Sequence, residues 1–249
     1  MSDAQERTRI LLGQEGLDEL NNRHVAIVGL GGVGGAAAEA VARAGIGRIT
    51  LVDHDRVGLS NINRQVVALH STLGQSKAEA MAARLRDINP DAEIHVHGEF
   101  LQPYNIGSFL DDGMFDYVLD CIDSVSCKAV LVAEAQSRYL PLASSLGAGG
   151  RLDVTQACIT TLKRTHTCGL ACNLRRRLRK LGASLDYPVA FSPEVPIKPL
   201  PQQPIEGDPE AHPRAVNGTI SYMPNLFGFM LAGYAIHQLI NRPTEDLPG

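Results

Sequence analysis

The chain has 249 residues, of which 44% are hydrophobic and 20% are charged, and its formal net charge at pH 7 is −4. This composition excludes disordered, collagen-like and coiled-coil proteins, and the length suits one large α/β unit with an appendage. The charge is uneven, because eight basic residues stand against one acidic residue between positions 151 and 180. That basic segment favours a polyanionic partner, although a solvated helix face explains it equally well.

The cysteines and the termini bear on the cellular compartment. Five cysteines without a Cys-x-x-Cys pair, and a charged N-terminal segment, predict a cytoplasmic protein with reduced thiols. The stretch from Leu226 to Ile240 is nearly all apolar or small, but its 15 residues fall short of the roughly 20 that span a bilayer. We expect a helix that is buried in the protein or at a dimer interface, with peripheral membrane association as the lesser alternative.

Strands alternate with helices over the first 150 residues. Apolar runs typical of strands lie at 24–28, 48–53, 93–97, 116–120 and 141–146, and helical spacing lies at 36–44, 74–88 and 125–138. Alternation of this kind predicts a Rossmann-like, mostly parallel sheet with helices on both faces.

The pattern changes after Gly150. Residues 154–162 are β-rich, residues 170–181 have the spacing of a basic helix, and an apolar helix is expected from Pro224. Between them, residues 193–213 contain seven prolines and are expected to form a loop. We predict a nucleotide-binding domain over 1–150 and a substrate-facing extension over 151–249, packed on the same core.

A glycine-rich turn follows the first strand. Gly29, Gly31, Gly32 and Gly34 open the next helix, where backbone N–H groups and the positive helix end can face a phosphate. Asp53 lies 19 residues after Gly34, at the end of the second strand, where a carboxylate can take the ribose hydroxyls. This pattern by itself indicates a nucleotide, either a dinucleotide or ATP.

Polar residues beyond the second strand distinguish these two ligands. The segment after Asp53 is rich in acids, amides and cations, namely Asp55, Asn61, Arg64, Gln65 and Lys77. A dinucleotide has no terminal triphosphate to neutralise, whereas Arg64 and Lys77 can neutralise that of ATP. Asp123 follows another strand, at a sheet edge where a carboxylate can hold Mg²⁺ near the α-phosphate. ATP is therefore favoured, and a NAD-dependent oxidoreductase is the weaker alternative.

Five segments resemble the ThiF/MoeB/HesA family, whose members are relatives of the ubiquitin-activating enzymes and adenylate a carboxylate with Mg·ATP. These segments are GLGGVG at 29–34, LVDHD at 51–55, LSNINRQ at 59–65, GQSK at 74–77 and LDCID at 119–123. The resemblance implies nucleotide contacts from Gly29, Gly31, Gly32, Gly34, Asp53, Asp55, Asn61, Arg64, Gln65 and Lys77.

The same resemblance implies roles in catalysis. Arg64 and Lys77 would act on the phosphates, and Asp123 would hold the metal. Arg7 stands where the family supplies an arginine that reaches into the partner subunit's ATP site, which implies a homodimer.

Later segments resemble the branch of this family that dehydrates threonylcarbamoyladenosine in tRNA. They are RTRILLGQEGLDEL at 7–20, GAGGRLDVTQ at 147–156, VAFSPEVPIKP at 189–199 and NGTISYMPNLFGFMLAG at 217–233. The implied reaction adenylates the substrate carboxylate and then closes a ring. On this basis the cations of the basic segment would meet tRNA phosphates, with Arg175, Arg176, Arg177, Arg179 and Lys180 as the contacts.

Two further functions stay open at this point. One is an adenylyltransferase for a ubiquitin-like sulfur carrier, and the other is a non-catalytic, nucleotide-sensing scaffold for a cysteine desulfurase system. Sulfur-carrier activators typically hold zinc with two Cys-x-x-Cys pairs, and only Cys168 and Cys172 come close to that spacing here, so we expect no zinc. Those thiols could accept sulfur from a desulfurase, but two unreactive thiols are the simpler interpretation. Lys128 is either a solvated helix residue or a residue near the substrate.

Overall fold

The computed structural model describes residues 4–203 and 214–240. The strands of this part of the chain are β1 (His24–Val28), β2 (Arg48–Val52), β3 (Glu93–His97), β4 (Tyr117–Asp120), β5 (Leu142–Ser145), β6 (Cys158–Thr161), β7 (Pro188–Phe191), β8 (Leu200–Gln203) and β9 (Arg214–Val216). The α-helices are α1 (Glu6–Asn21), α2 (Gly32–Arg43), α3 (Lys77–Ile88), α4 (Ile106–Gly113), α5 (Val125–Ser137), α6 (Gly169–Lys180) and α7 (Tyr222–Leu239).

Seven of these strands form one sheet in the order β3-β2-β1-β4-β5-β7-β6. The neighbours from β3 to β7 are parallel, and only the edge strand β6 is antiparallel to β7. All five residues of β1 are buried, as expected for a central strand that is covered on both faces. The prediction of a Rossmann-like, mostly parallel sheet is confirmed.

Helices cover both faces of the sheet. On one face, α2, α3 and α7 pack around a core that includes Leu51, Met81 and Phe227. On the other face, α4, α5 and α6 pack around a second core that includes Leu131 and Leu174. Strands β6 and β7 and helix α7 thus share the layers built by the first 150 residues, while a separate substrate-facing role for 151–249 stays a prediction.

The apolar segment near the C-terminus is a helix that packs inside the protein. Its buried residues include Phe227, Leu231 and Ala235. It approaches α2 so closely that a Cβ atom on Gly228 would overlap the carbonyl oxygen of Val33. No helix among the described residues is both long enough and apolar enough to cross a bilayer. The interpretation as a buried helix is confirmed, and this packing lends no support to peripheral membrane association.

Other expectations need correction. Strand β8 pairs with β9, so the prediction of a loop throughout 193–213 is wrong at 200–203; residues 204–213 lie outside the described part. Helix α7 begins two residues before Pro224, because the first turn of a helix has no carbonyl partner for its N–H groups and so tolerates proline. Sequence patterns also missed α1, α4 and β7. The first is kinked at Gly13, where φ is +74°, and the other two are short.

Candidate nucleotide-binding site

The predicted site residues gather at the carboxyl edge of the sheet. Strand β1 pairs with both β2 and β4, so the carboxyl ends of these three strands lie side by side. The chain leaves β1 toward the face covered by α2 and leaves β4 toward the face covered by α5. A crevice opens where two connections diverge in this way, and open α/β sheets bind ligands there.

The glycine turn forms one wall of this crevice. Gly29 has a φ of +90°, and a Cβ atom on it would lie 2.9 Å from the carbonyl oxygen of Cys121. A Cβ atom on Gly34 would overlap the carbonyl oxygen of Gly29. These two glycines are therefore needed by the turn itself. Gly31 differs, because the nearest atom to its missing Cβ is Gln65 Nε2 at 3.9 Å, which leaves space for a ligand at the N-terminus of α2.

Asp53 ties the glycine turn to the end of β2. Its Oδ2 accepts a hydrogen bond of 2.6 Å from the backbone N–H of Leu30, and its Oδ1 accepts one of 2.8 Å from that of Asp55. Each carboxylate oxygen can accept a further hydrogen bond, so the carboxylate keeps acceptor capacity for ribose hydroxyls. Its contact with a ribose stays a prediction.

Lys77 is held at the same edge by an acid. Its Nζ lies 2.8 Å from Asp55 Oδ2, and the lysine side chain is only 7% exposed whereas that of Asp55 is 53% exposed. The structure therefore pairs two residues that the sequence analysis assigned separately to the nucleotide. Asp53, His54 and Asp55 also place potential ligand atoms within 4.8 Å of one another, the one such group within the described residues. An exposed acidic group of this kind is not by itself evidence of a metal.

Arg64 folds back onto its own segment. Its Nη1 donates to the carbonyl oxygen of Ser60 at 2.9 Å and to Asn63 Oδ1 at 2.8 Å. Asn63 Nδ2 in turn donates to the carbonyl oxygen of Thr219 at 2.9 Å, and Asn225 Nδ2 donates to that of Arg64 at 3.1 Å. The segment before α7 thus holds Asn63, and α7 itself holds the backbone of Arg64. Sequence analysis missed both asparagines, although Asn63 lies within the LSNINRQ segment.

Asn61 and Gln65 have different surroundings. Asn61 Oδ1 accepts a hydrogen bond of 3.0 Å from the backbone N–H of Gly58 and so stabilises the short turn that carries Arg64. Gln65 is buried beside the glycine turn, and none of the described residues donates to its Oε1. A buried, unsatisfied amide oxygen suits a hydrogen bond from a ligand or from water.

Asp123 is an exposed carboxylate just beyond β4. Within the described residues, no group donates a hydrogen bond to it or forms an ion pair with it. Magnesium prefers oxygen ligands such as an uncommitted carboxylate, so this residue fits the metal that the family resemblance implies. The assignment itself stays a prediction.

The structure excludes one of the two interpretations of Lys128. It is completely buried, and its Nζ lies 2.8 Å from Oδ2 of Asp120, which is also completely buried. It is therefore not a solvated helix residue, while a role near the substrate stays a prediction. Periodicity gave no sign of this ion pair, because the two residues belong to β4 and α5 and meet only in the folded protein.

Cys121, the residue after Asp120, is not suited to act as a nucleophile. Burial raises the pKa of its thiol to about 12, with a smaller contribution from the negative charge of Asp120. The thiol is therefore protonated at neutral pH. This agrees with ring closure through an acyl adenylate, which requires no enzyme nucleophile.

The basic cluster on α6 lies at a distance from the glycine turn. The start of this helix is at the carboxyl edge, since Thr167 Oγ1 donates to the carbonyl oxygen of Pro193, just after β7, at 2.8 Å. The helix then runs toward the opposite edge of the sheet, where Arg176, Arg177, Arg179 and Lys180 are exposed. Arg175 instead donates to the carbonyl oxygen of Thr165 at 2.9 Å, so it stabilises the protein and is less available to a phosphate.

Arg7 cannot serve the crevice of its own chain in this arrangement. It is exposed near the start of α1, where the neighbouring Gln5 Nε2 donates to the carbonyl oxygen of Arg43 at 3.1 Å. Arg43 is the last residue of α2, whereas the glycine turn adjoins its first residue. A helix of this length separates the two by about 18 Å.

Comparison with known proteins identifies the family of this chain. The model of the ThiF family matches residues 4–249, so the chain belongs to the ThiF family. The chain is similar to the tRNA threonylcarbamoyladenosine dehydratase of Bacillus subtilis, with 40% identity over 94% of this chain and 93% of the relative. The resemblance to a dehydratase branch is thereby confirmed.

Solved structures give the same result. The chain is similar to the crystal structure of Escherichia coli tRNA N6-threonylcarbamoyladenosine dehydratase, TcdA, in complex with AMP, with a TM-score of 0.85, 37% identity and 96% of each chain covered. The complex of the same E. coli protein with ATP gives a TM-score of 0.83 at 36% identity, again with 96% of each chain covered.

Proposed function

We propose that this chain is an ATP-dependent tRNA threonylcarbamoyladenosine dehydratase, which adenylates the threonyl carboxylate of the modified nucleoside and then cyclises it. The observation that carries the proposal is the end-to-end similarity to dehydratases, which extends over more than nine-tenths of both chains and includes the glycine turn. The complexes of the E. coli relative with AMP and ATP support the crevice as the nucleotide site.

In the proposed reaction, the substrate carboxylate attacks the α-phosphorus of ATP and pyrophosphate leaves. The carbamoyl group of the same nucleoside then attacks the acyl adenylate, a ring forms, a proton is released and AMP departs. The net change in the nucleoside is the loss of one water. Ring closure is favoured by proximity, so the protein's main task is to position the reactants.

The chain's own residues supply binding and charge. The N-terminus of α2 would receive phosphate oxygens, and Lys77 and Arg64 would offset the negative charge that develops on the phosphates. Only Nη1 of Arg64 donates to Ser60 and Asn63, so its Nε and Nη2 donors can serve the phosphates. When bound, magnesium supplies further charge neutralisation, and Asp123 is the residue that would hold it. We infer that ATP and magnesium suffice, without zinc, and that the activity is cytoplasmic because its substrate is tRNA.

The proposal predicts a defined product. After incubation of the protein with Mg·ATP and tRNA that carries threonylcarbamoyladenosine, mass analysis of the nucleosides should show the loss of one water from that nucleoside, with AMP and pyrophosphate released. Reactions without ATP, or with tRNA that lacks the threonylcarbamoyl group, serve as controls. Pyrophosphate exchange that responds to a ubiquitin-like carrier protein and not to modified tRNA would establish the sulfur-carrier adenylyltransferase instead.

We also propose a homodimer in which Arg7 serves the partner's nucleotide site. Arg7 lies at the far end of α2 from the glycine turn of its own chain. Ile10 and Leu11, about one turn along α1 from Arg7, are 78% and 74% exposed, and a second subunit that covers them would remove apolar surface from water. A second partner, a cysteine desulfurase, has less support, because Cys168 is buried while Cys172 is exposed.

The basic end of α6 is proposed to contact tRNA phosphates. We expect the Arg176→Glu/Arg177→Glu variant to bind tRNA more weakly and with a flatter dependence on salt, since each phosphate contact contributes about 0.7 (single strands) to 0.9 (duplex DNA) to the slope of log K against log salt. The measurement is a filter-binding titration at several salt concentrations. The single variant Arg177→Glu is measured as well, and Arg86→Glu, on α3 across the sheet, is its matched control. An unchanged slope would show that these arginines do not contact tRNA phosphates and form only a solvated helix face.

A further inference from the structure

The buried carboxylate of Asp120 receives hydrogen bonds from three parts of the chain. Ser144 Oγ, on β5, donates to Oδ2 at 2.6 Å, and Lys128 Nζ, on α5, lies 2.8 Å from the same oxygen. The backbone N–H of Ile122 donates to Oδ1 at 3.2 Å. Lys128 Nζ also donates to the carbonyl oxygen of Asp120 at 3.3 Å. Asp120, Lys128 and Ser144 are all completely buried.

A contribution to stability does not by itself explain the buried ion pair between Asp120 and Lys128. Removing two charges from water is costly, and replacing a buried ion pair by apolar side chains of similar size is often neutral or stabilising. Removing only one partner is strongly destabilising, because the other charge is then buried alone. The ion pair can instead hold the neighbouring backbone in place.

Asp120 and Lys128 lie at the two ends of the connection that carries Asp123. This connection leaves β4 at Asp120 and enters α5, whose second turn contains Lys128. Within it, the backbone N–H of Cys121 donates to the carbonyl oxygen of Val28 at 2.8 Å. The carbonyl oxygen of Cys121 lies 2.9 Å from the place that a Cβ atom on Gly29 would take. The connection is therefore held against the glycine turn on one side and by the buried network below it.

We propose that Asp120, Lys128 and Ser144 act as positioning residues, which fix the connection from Cys121 to Ser124 so that the carboxylate of Asp123 stands at a set place beside the glycine turn. The proposal rests on the proposed function, because it deepens the role of Asp123 in the adenylation step. None of the three residues is expected to touch the nucleotide.

The test uses the Asp120→Leu/Lys128→Met variant, which removes both charges together and so avoids an unpaired buried charge. The variant should remain folded, because neither charge is left buried alone, although Ser144 Oγ and the Ile122 N–H lose their acceptor. Its kcat for dehydration should fall about 10- to 100-fold, the size of effect seen when residues that orient a ligand are lost. The KM for tRNA should stay within about threefold, because the tRNA-binding surface is unaltered. When no nucleotide is bound, hydrogen–deuterium exchange at residues 121–124 should be faster in the variant than in the wild type, while exchange in β1 should be the same.

A matched control removes another ion pair attached to α5. Arg138 Nε, just beyond the end of this helix, lies 2.7 Å from Asp111 Oδ1 on α4. The Asp111→Asn/Arg138→Met variant should keep wild-type kcat and wild-type exchange at residues 121–124. An Asp120→Leu/Lys128→Met protein with wild-type kcat and unaltered exchange would overturn the positioning role.

A milder pair of variants keeps the proposal testable if the double variant does not fold. Ser144→Ala should lower kcat several-fold, and Ser144→Thr, which retains a hydroxyl group, should retain most of the activity. Equal kcat values for the two variants would contradict the proposal. A wild-type protein that does not dehydrate modified tRNA would instead refute the proposed function, and the exchange measurement would still report on the network.

Discussion

The Asp123→Ala variant is expected to bind ATP within a few fold of the wild-type affinity but to lose about 100- to 1,000-fold in turnover. The reason is that Asp123 is an exposed carboxylate two residues after Cys121, whose backbone contacts the glycine turn, and it has no hydrogen-bonding or ionic partner among the described residues. Its loss should remove charge organisation at the reacting phosphate without altering the turn that binds the nucleotide. Calorimetric titration with ATP and single-turnover measurement of dehydration separate the two effects.

Two controls define this result. Asp112→Ala removes an exposed acid from α4 and should leave both affinity and turnover unaltered. Asp123→Asn keeps the size of the side chain but not its charge, so it should resemble Asp123→Ala if charge is what matters. Turnover of Asp123→Ala equal to that of the wild type would refute the assigned role of this residue.

The Gly34→Ala variant is expected to lose measurable ATP binding. A Cβ atom at this position would overlap the carbonyl oxygen of Gly29, and neither backbone group can move without opening the turn. By contrast, Gly31→Ala has space for the added atom in this structure, so it should fold normally. If phosphate oxygens approach the N-terminus of α2 as proposed, Gly31→Ala should nevertheless bind ATP more weakly. Thermal unfolding with and without Mg·ATP measures folding and binding together.

Gly169→Ala is the control for both glycine variants. This residue begins α6, and no atom lies within 4 Å of the place that its Cβ would take. It should therefore match the wild type in unfolding and in stabilisation by Mg·ATP. Full stabilisation of Gly34→Ala by Mg·ATP would show that the nucleotide binds elsewhere.

Local patterns in the sequence predicted the mostly parallel sheet and most of its strands, although they missed β7. Runs of apolar residues marked the central strands to within one or two residues, because a strand covered on both faces must be apolar along its length. The glycine turn was also evident, since a close approach of two backbone segments requires glycine at fixed positions. These features depend on neighbours in the chain, so sequence patterns detect them.

Only the tertiary structure decided the partners of the charged residues. It paired Lys77 with Asp55, turned Arg64 toward Ser60, and buried Lys128 against Asp120. The sequence did not reveal these partners, because periodicity places a residue on a helix or strand but does not show which distant side chain lies opposite it. A buried lysine needs a carboxylate partner, here from another element, and only packing in three dimensions brings the two side chains into contact.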